Sequence, residues 1–289
     1  MSVNKRLLPQ FLNLAPGAQN AALDLPLGQS YRGIMMRLSA TGVGATFTVD
    51  HILRVRLLIN GKAVIRDISG SVLKRDNLFR GSKDDNTVLY LDFEEPRART
   101  IEDQLATCIH TAAGVNSFKI ELDISASAVG TLKIDTRAFT RSTGLPLGPI
   151  PAIIRESYDA VSTGFLEVKP GFKVGPTGPG HILRCVHFVS SVAGTECAPS
   201  TKLGSNGITV RKSGVSVWDR LSDPDNRWTQ EHYESVPITN AYTLDFVEDN
   251  NNISLMPTAD ADDFVFEIDQ GTACHWDIYY RMVTTLERL

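Results

Sequence analysis

The chain has 289 residues, 42% of them hydrophobic and 21% charged, with a formal net charge of −4 at pH 7. That is an ordinary globular composition and enough length for one large domain or two ordinary ones. A mildly acidic chain has no basic face for wrapping nucleic acid, so no direct nucleic-acid binding is expected, and no apolar run approaches the ~20 residues that span a bilayer.

Residues 1–16 carry Lys5 and Arg6 but no apolar segment of the signal-peptide kind. The four cysteines, Cys108, Cys185, Cys197 and Cys274, form no C-x-x-C pair. Free thiols are therefore the expectation, with a Cys185–Cys197 bridge as the alternative. Residues 1–20 read as an arm: Leu7, Leu8, Phe11, Leu12 and Leu14 are apolar, and Pro9, Pro16 and Gly17 interrupt any helix. Such an arm either covers an edge of its own domain or becomes ordered only in an assembly, against a neighbour or a membrane.

Residues 31–39 and 47–59 read as strands. In the second, Leu53, Val55, Leu57 and Ile59 fall on one side and Arg54 and Arg56 on the other. Asn60-Gly61 suits a two-residue hairpin turn, and 63–66 is the return strand. Residues 69–80 read as a short helix, with Ser71 as its cap and Val72, Leu73 and Leu78 as a partial apolar face. Residues 88–93 alternate, with Leu89, Leu91 and Phe93 inward and Asp92 outward.

A helix is expected over 100–113. Thr100 and Asp103 form the capping pair, Ile101, Leu105, Cys108 and Ile109 make the apolar stripe, and Gly114 stops it. Phe118, Ile120, Leu122 and Ile124 alternate with Lys119, Glu121 and Asp123, and Leu132 and Ile134 continue into a further strand. Residues 140–151 hold Pro146, Pro149 and Pro151 and read as a linker, 152–162 as a short helix, and 170–180 as a Gly/Pro loop.

The second half repeats the plan. Residues 181–190 read as a strand, and 208–210 with 215–218 as a hairpin. Asp223-Pro224 opens a helix running to about Glu234. Tyr242, Leu244 and Phe246 form an inward strand face, a shorter connection spans 252–263, and 264–268 and 276–282 close the half.

The halves keep one spacing. Gly61 and Gly214 are 153 residues apart (214 − 61), and so are Leu91-Asp92-Phe93 and Leu244-Asp245-Phe246. Phe118-Lys119-Ile120-Glu121-Leu122-Asp123 returns as Phe264-Val265-Phe266-Glu267-Ile268-Asp269 after 146 residues (264 − 118), the slip falling between elements. A period this long is domain-sized.

The residues that carry chemistry in other proteins form no recognisable set here. Cys185 and His187 share one face of a strand and Cys274-His275 are adjacent, but no second pair stands at zinc-ligand spacing. His51, His110, His181 and His232 form no H-x-H with a following acid, as a cupin-like enzyme would need. No G-x-S-x-G, H-E-x-x-H or P-loop occurs. Asp84-Asp85, Asp249 and Asp260, Asp262 and Asp263 are oxygen ligands suited to calcium, without EF-hand spacing, and solvated loop acids are the plainer reading. Trp218, Trp228 and Trp276 are either a glycan platform or core. No catalytic, cofactor-binding or metal residue is assigned.

Against this background the motifs carry a resemblance. Leu25-Pro26-Leu27-Gly28-Gln29-Ser30-Tyr31, the run from Val55 to Asn60-Gly61-Lys62, and Leu91-Asp92-Phe93 look like the N-terminal domain of the corticovirus-type major capsid protein family. Val210-Arg211-Lys212-Ser213-Gly214, Val217-Trp218-Asp219-Arg220 and Tyr242 to Asp249 resemble its C-terminal domain.

The resemblance implies an all-β chain of two tandem eight-stranded jelly rolls, a double jelly roll, with short helices in the loops. The limits are 1–140 for the first roll and its arm, 141–180 for a linker and entry loop, and 181–289 for the second roll. It implies a major capsid protein without catalysis or cofactor, in a virion made in the host cytoplasm. Homotrimers would form pseudo-hexagonal capsomers in an icosahedral shell. The implied partners are neighbouring capsomers, other capsid proteins such as a penton, and in tailless phages of this kind an internal membrane. A tandem β-sandwich that binds carbohydrate or serves adhesion is the alternative.

Overall fold

The computed structural model describes residues 4–82, 84–94, 106–141, 145–172, 174, 181–247 and 256–289. The chain divides into two compact units, Met1–Ile154 with Thr285–Glu287 and Leu289, and Arg155–Thr284 with Arg288.

The first unit contains β1 (Asn4–Leu7), β2 (Ala21–Asp24), β3 (Ser30–Thr46), β4 (Ile52–Ile59), β5 (Lys62–Ile68), β6 (Val88–Asp92), β7 (Ile109–His110), β8 (Phe118–Ile124) and β9 (Val129–Arg141). One sheet runs β1-β9-β3-β6, with β7 also paired to β3, and the other runs β5-β4-β8-β2. Most successive strands switch sheets, so most connections cross the sandwich, as in a jelly roll. The inner faces meet where Tyr31 of β3 sets its ring edge-on to Phe118 of β8, centroids 5.0 Å apart. Ile34, Met36, Val55, Leu57, Ile120 and Leu122 are buried in this core. Each such side chain contributes about 1.5–3 kcal/mol on burial.

Local chemistry explains the connections. Asn60 and Gly61 both adopt positive φ, 51° and 78°, the backbone of a two-residue turn whose twist matches its strands. The Asn60 side chain adds to this by accepting from the Asn116 N–H at 2.6 Å. The helix Gly70–Phe79 is capped by Ser69, whose hydroxyl accepts from the Val72 N–H. It stops where Gly81 turns left-handed, and the Ser82 N–H closes back on the Asn77 carbonyl.

The second unit begins within β10 (Ile150–Ala160) and continues with β11 (Gly164–Val168), β12 (Ile182–Val192), β13 (Thr195–Cys197), β14 (Leu203–Lys212), β15 (Val215–Leu221), β16 (Ala241–Asp245), β17 (Met256–Pro257), β18 (Phe264–Gln270) and β19 (Cys274–Thr284). One sheet places β10 beside β19, β19 beside β12, and β16, β17 and β13 along the other side of β12. The second sheet is β11-β18-β14-β15. Phe188 of β12, Phe266 of β18 and Tyr280 of β19 meet in the core, and Trp276 is fully buried.

Strand by strand the pairings repeat, with β13 as the added element of the second unit. The match extends to single hydrogen bonds at the 153-residue spacing. Ser213 and Gly214 take φ of 50° and 78°, as Asn60 and Gly61 do. Ser222 caps the helix Asp223–His232 by accepting from the Asp225 N–H, as Ser69 does for Val72. Asn77 donates to the Tyr90 carbonyl at 2.6 Å, and Gln230 to the Thr243 carbonyl at 3.0 Å. Asp92 accepts from the Glu94 N–H and Asp245 from the Val247 N–H. The 146-residue spacing holds too: Asn60 N–H donates to Ser117, and Ser213 N–H to Asp263.

Several expectations are corrected. Residues 106–113 of the expected 100–113 helix are not helical: Ile109–His110 is β7, paired with Ser30 and Tyr31. The rest of that expected helix, through residue 105, lies outside the described residues. The expected helix 152–162 is the strand β10. The first cap is Ser69, not Ser71. Leu53 faces solvent while Ile52 is buried, because the β4–β8 register shifts between Ile52 and Arg54; one inserted residue flips the alternation. Asp92 is buried, not outward, and pairs with Arg80. The stretch 141–180, read as linker and entry loop, holds β10 and β11.

Candidate functional surfaces

The residues singled out for chemistry are mostly absorbed by packing and ion pairs. Cys185 Sγ and His187 Nε2 stand 3.6 Å apart on one face of β12, both buried, with His187 Nδ1 at 2.9 Å from Thr243 Oγ1. All four cysteines are free thiols, and Cys185 and Cys197 are not bridged. Burial pushes the Cys108 thiol up to about 12, away from the reactive thiolate. Asp84 pairs with Lys74 at 2.5 Å, Asp260 with Lys212 at 2.6 Å and Asp263 with Lys169 at 3.1 Å. Asp85 accepts from the Thr87 N–H at 2.8 Å. These carboxylates are spread among separate lysines. Asp249 lies outside the described residues.

The tryptophans separate into different roles. Trp276 is core, donating from Nε1 to Gln270 Oε1 at 2.7 Å. Trp218 packs edge-on to Phe246. Trp228, on the outer face of the helix Asp223–His232, is 66% exposed.

The first unit has its own outward features. The arm forms β1, an edge strand whose residues Asn4 to Leu7 pair with Thr140 to Arg137 of β9. All four β1 side chains are exposed, whereas Leu8 and Phe11 just beyond are buried. From Asn4 to Leu7 the arm lies along its own unit through this pairing. An open trough of about 610 Å³ lies between β1, Thr140 and Leu27-Gly28-Gln29.

The lane that β1 fills in the first unit is filled by β10 in the second, and there polar groups fasten it. Arg155 pairs with Asp277 at 2.8 Å, the Ser157 hydroxyl donates to Asp277 at 2.6 Å, and His275 Nδ1 sits 2.6 Å from Asp159. The bond to Asp159, with Asp277 nearby, holds the His275 imidazole above its usual value. Sequence reading missed this ladder. Its signal was the every-second-residue spacing of Arg155, Ser157 and Asp159, which is strand spacing. His181 is the opposite case: burial, helped by the Arg288 charge, lowers it to about 4.

No helix among the described residues is long and apolar enough to cross a membrane. No curated protein matches the chain at the level of sequence. Solved structures do match in fold. The major capsid protein P2 from bacteriophage PM2 superposes with a TM-score of 0.82 at 20% identity, covering 98% of this chain and 97% of that one. The STIV major capsid protein gives 0.68 at 14% identity over 99% and 98%. The PBCV-1 virus capsid gives 0.61 at 10% identity over 98% and 94%. The viral coat protein P2 N-terminal domain model matches residues 5–141, and the viral coat protein P2 C-terminal domain model matches residues 150–286. With both domains matched in order along nearly its whole length, the chain belongs to the viral coat protein P2 family, a double jelly-roll capsid protein.

Proposed function

We propose that three copies of this capsid protein associate into a pseudo-hexagonal capsomer, and that capsomers tile an icosahedral shell. The observation that carries this reading is the duplication itself: two units with one strand order and the same hydrogen bonds at a fixed spacing. Three such chains around a threefold axis present six similar lobes, so one tile has near-sixfold edges built from a single gene product. The interfaces are of the obligate kind, on the order of 2,000 Å² or more, drawn from strand edges and loops.

In this reading the chain performs no turnover. Neighbouring capsomers are its main partners, and a distinct vertex protein fills the fivefold positions. Synthesis is in the host cytoplasm. Light scattering on the purified protein tests the reading. A mass about three times 31.7 kDa is expected; a monomer across the accessible concentration range sinks it.

A further inference from the structure

The two helices that follow the repeated hairpins are one element built twice, so each is a reference for the other. The serine cap, the amide clamp onto the next strand and the left-handed stop all recur. Their outer faces differ. Along Gly70–Phe79 no residue is exposed. Along Asp223–His232, Pro224, Asp225, Trp228, Glu231 and His232 are exposed, and Tyr233, Glu234 and Val236 follow.

Position by position the contrast is sharper. At the 153-residue spacing Trp228 replaces Arg75, which is half-buried, and His232 replaces Phe79, which is buried. Tyr233 replaces Arg80, which pairs with Asp92 at 3.2 Å. The exposed rings are already ordered. Trp228 and His232 lie nearly parallel, 9° apart with centroids at 5.3 Å, and Tyr233 meets His232 edge-on at 5.1 Å. The backbone beneath is fixed by Asn226 and Gln230 on the Thr243 carbonyl and by Arg227 paired with Asp223.

We infer that this aromatic ridge is the docking site for a second copy of the chain, an assignment that rests on the assembly reading above and names its surface. A pre-stacked Trp and Tyr lose little side-chain freedom on contact and are the residue types that dominate association energies. The repeat argues for the occupant: this helix type is covered in the first unit, and another copy supplies the missing cover for the second. Charge agrees. Asp225, Glu231 and Glu234 flank the ridge, and the first unit exposes Lys5, Arg6, Arg37, Arg66 and Arg137. A contact of second unit to first unit between copies is heterologous, and with the right rotation it closes a ring.

Sedimentation velocity on the full chain, with W228A, W228F and V43A, tests this. Val43 is a fully exposed control. W228A should keep the circular dichroism of the parent, and so its fold, while its subunits dissociate on the order of tenfold or more readily and its melting temperature falls only through that weaker association. W228F should fall between, and V43A should match the parent. In the parent oligomer Trp228 should be shielded from acrylamide. If the parent is oligomeric and W228A assembles as tightly, the docking assignment is overturned while the assembly reading stands. If W228A instead loses binding to a glycan or lipid vesicle with assembly unchanged, the occupant is another molecule and the assignment is equally overturned. If the parent is monomeric at every concentration, the assembly reading fails and this one with it.

Discussion

Phe266 is the most informative core position to perturb. It is fully buried in β18 and touches rings from both sheets of the second unit: Phe188 at 5.4 Å, Phe264 at 5.2 Å and Tyr280 at 5.9 Å. Phe266→Ala removes the ring and leaves a cavity bounded by residues that cannot all collapse inward, a loss of about 3–5 kcal/mol. Phe266→Leu keeps most of the volume and gives up the edge-on ring contacts, a loss of about 1.5 kcal/mol or somewhat more. All three tryptophans, Trp218, Trp228 and Trp276, belong to this unit, so tryptophan fluorescence during urea unfolding reads it selectively. With a slope near ~2 kcal/mol/M, the alanine variant should shift the midpoint by about 2 M and the leucine variant by less than about 1 M. An alanine shift below about 0.5 M would refute the packing of β12, β18 and β19 around this ring.

Other expectations follow from single features. Gly61→Ala and Gly214→Ala meet no steric neighbour but are forced to φ of 78°, so each should lose about 1 kcal/mol, and similar losses in both hairpins would show that the repeat is energetic as well as geometric. Gly70→Ala has negative φ but a new methyl would collide with the Val49 carbonyl and Ile52, which should cost about 1–3 kcal/mol in chemical denaturation; a neutral result would contradict the close approach of the helix Gly70–Phe79 to Val49 and Ile52. His275 is raised in the fold by Asp159 and Asp277, so its stabilisation is full below the usual value of 6.5 and is lost as pH rises through the raised folded value. The effect is small because the side chain is partly exposed, and His275→Gln should abolish that part of the pH dependence, which sets in above the usual imidazole value, in thermal melts.

The sequence made the repeat legible because it fixes backbone requirements, and those are written in single residues. A two-residue turn with positive φ needs Asn, Gly or an equivalent, and Asn60-Gly61 and Ser213-Gly214 announce themselves. Alternation in Phe118–Ile124 announces a half-buried strand. Residues 100–113 misled because Cys108 and Ile109 are buried, as a helical stripe would have them, yet they sit at and beside a short strand on β3. Short apolar runs do not distinguish the two periods. Residues 152–162 misled for a different reason. Ala152, Ile153 and Ile154 are adjacent apolar residues without alternation, and only from Arg155 onward does the outward series Arg155, Ser157, Asp159 set in. The surface was the least legible part. Nothing in the order Asp223 to Tyr233 says that Trp228 stands outside while Asn226 and Gln230 are buried. That depends on which backbone carbonyl the amides reach, here Thr243, and the choice is tertiary.

Electron cryomicroscopy of the assembled protein tests the central claim most directly. Closed shells are expected whose hexagonal tiles each contain three copies with six jelly-roll lobes, and with the Asp223–His232 helix of one copy against the first unit of the next. Tiles built from six separate copies, or particles in which that helix faces bulk solvent, would contradict it.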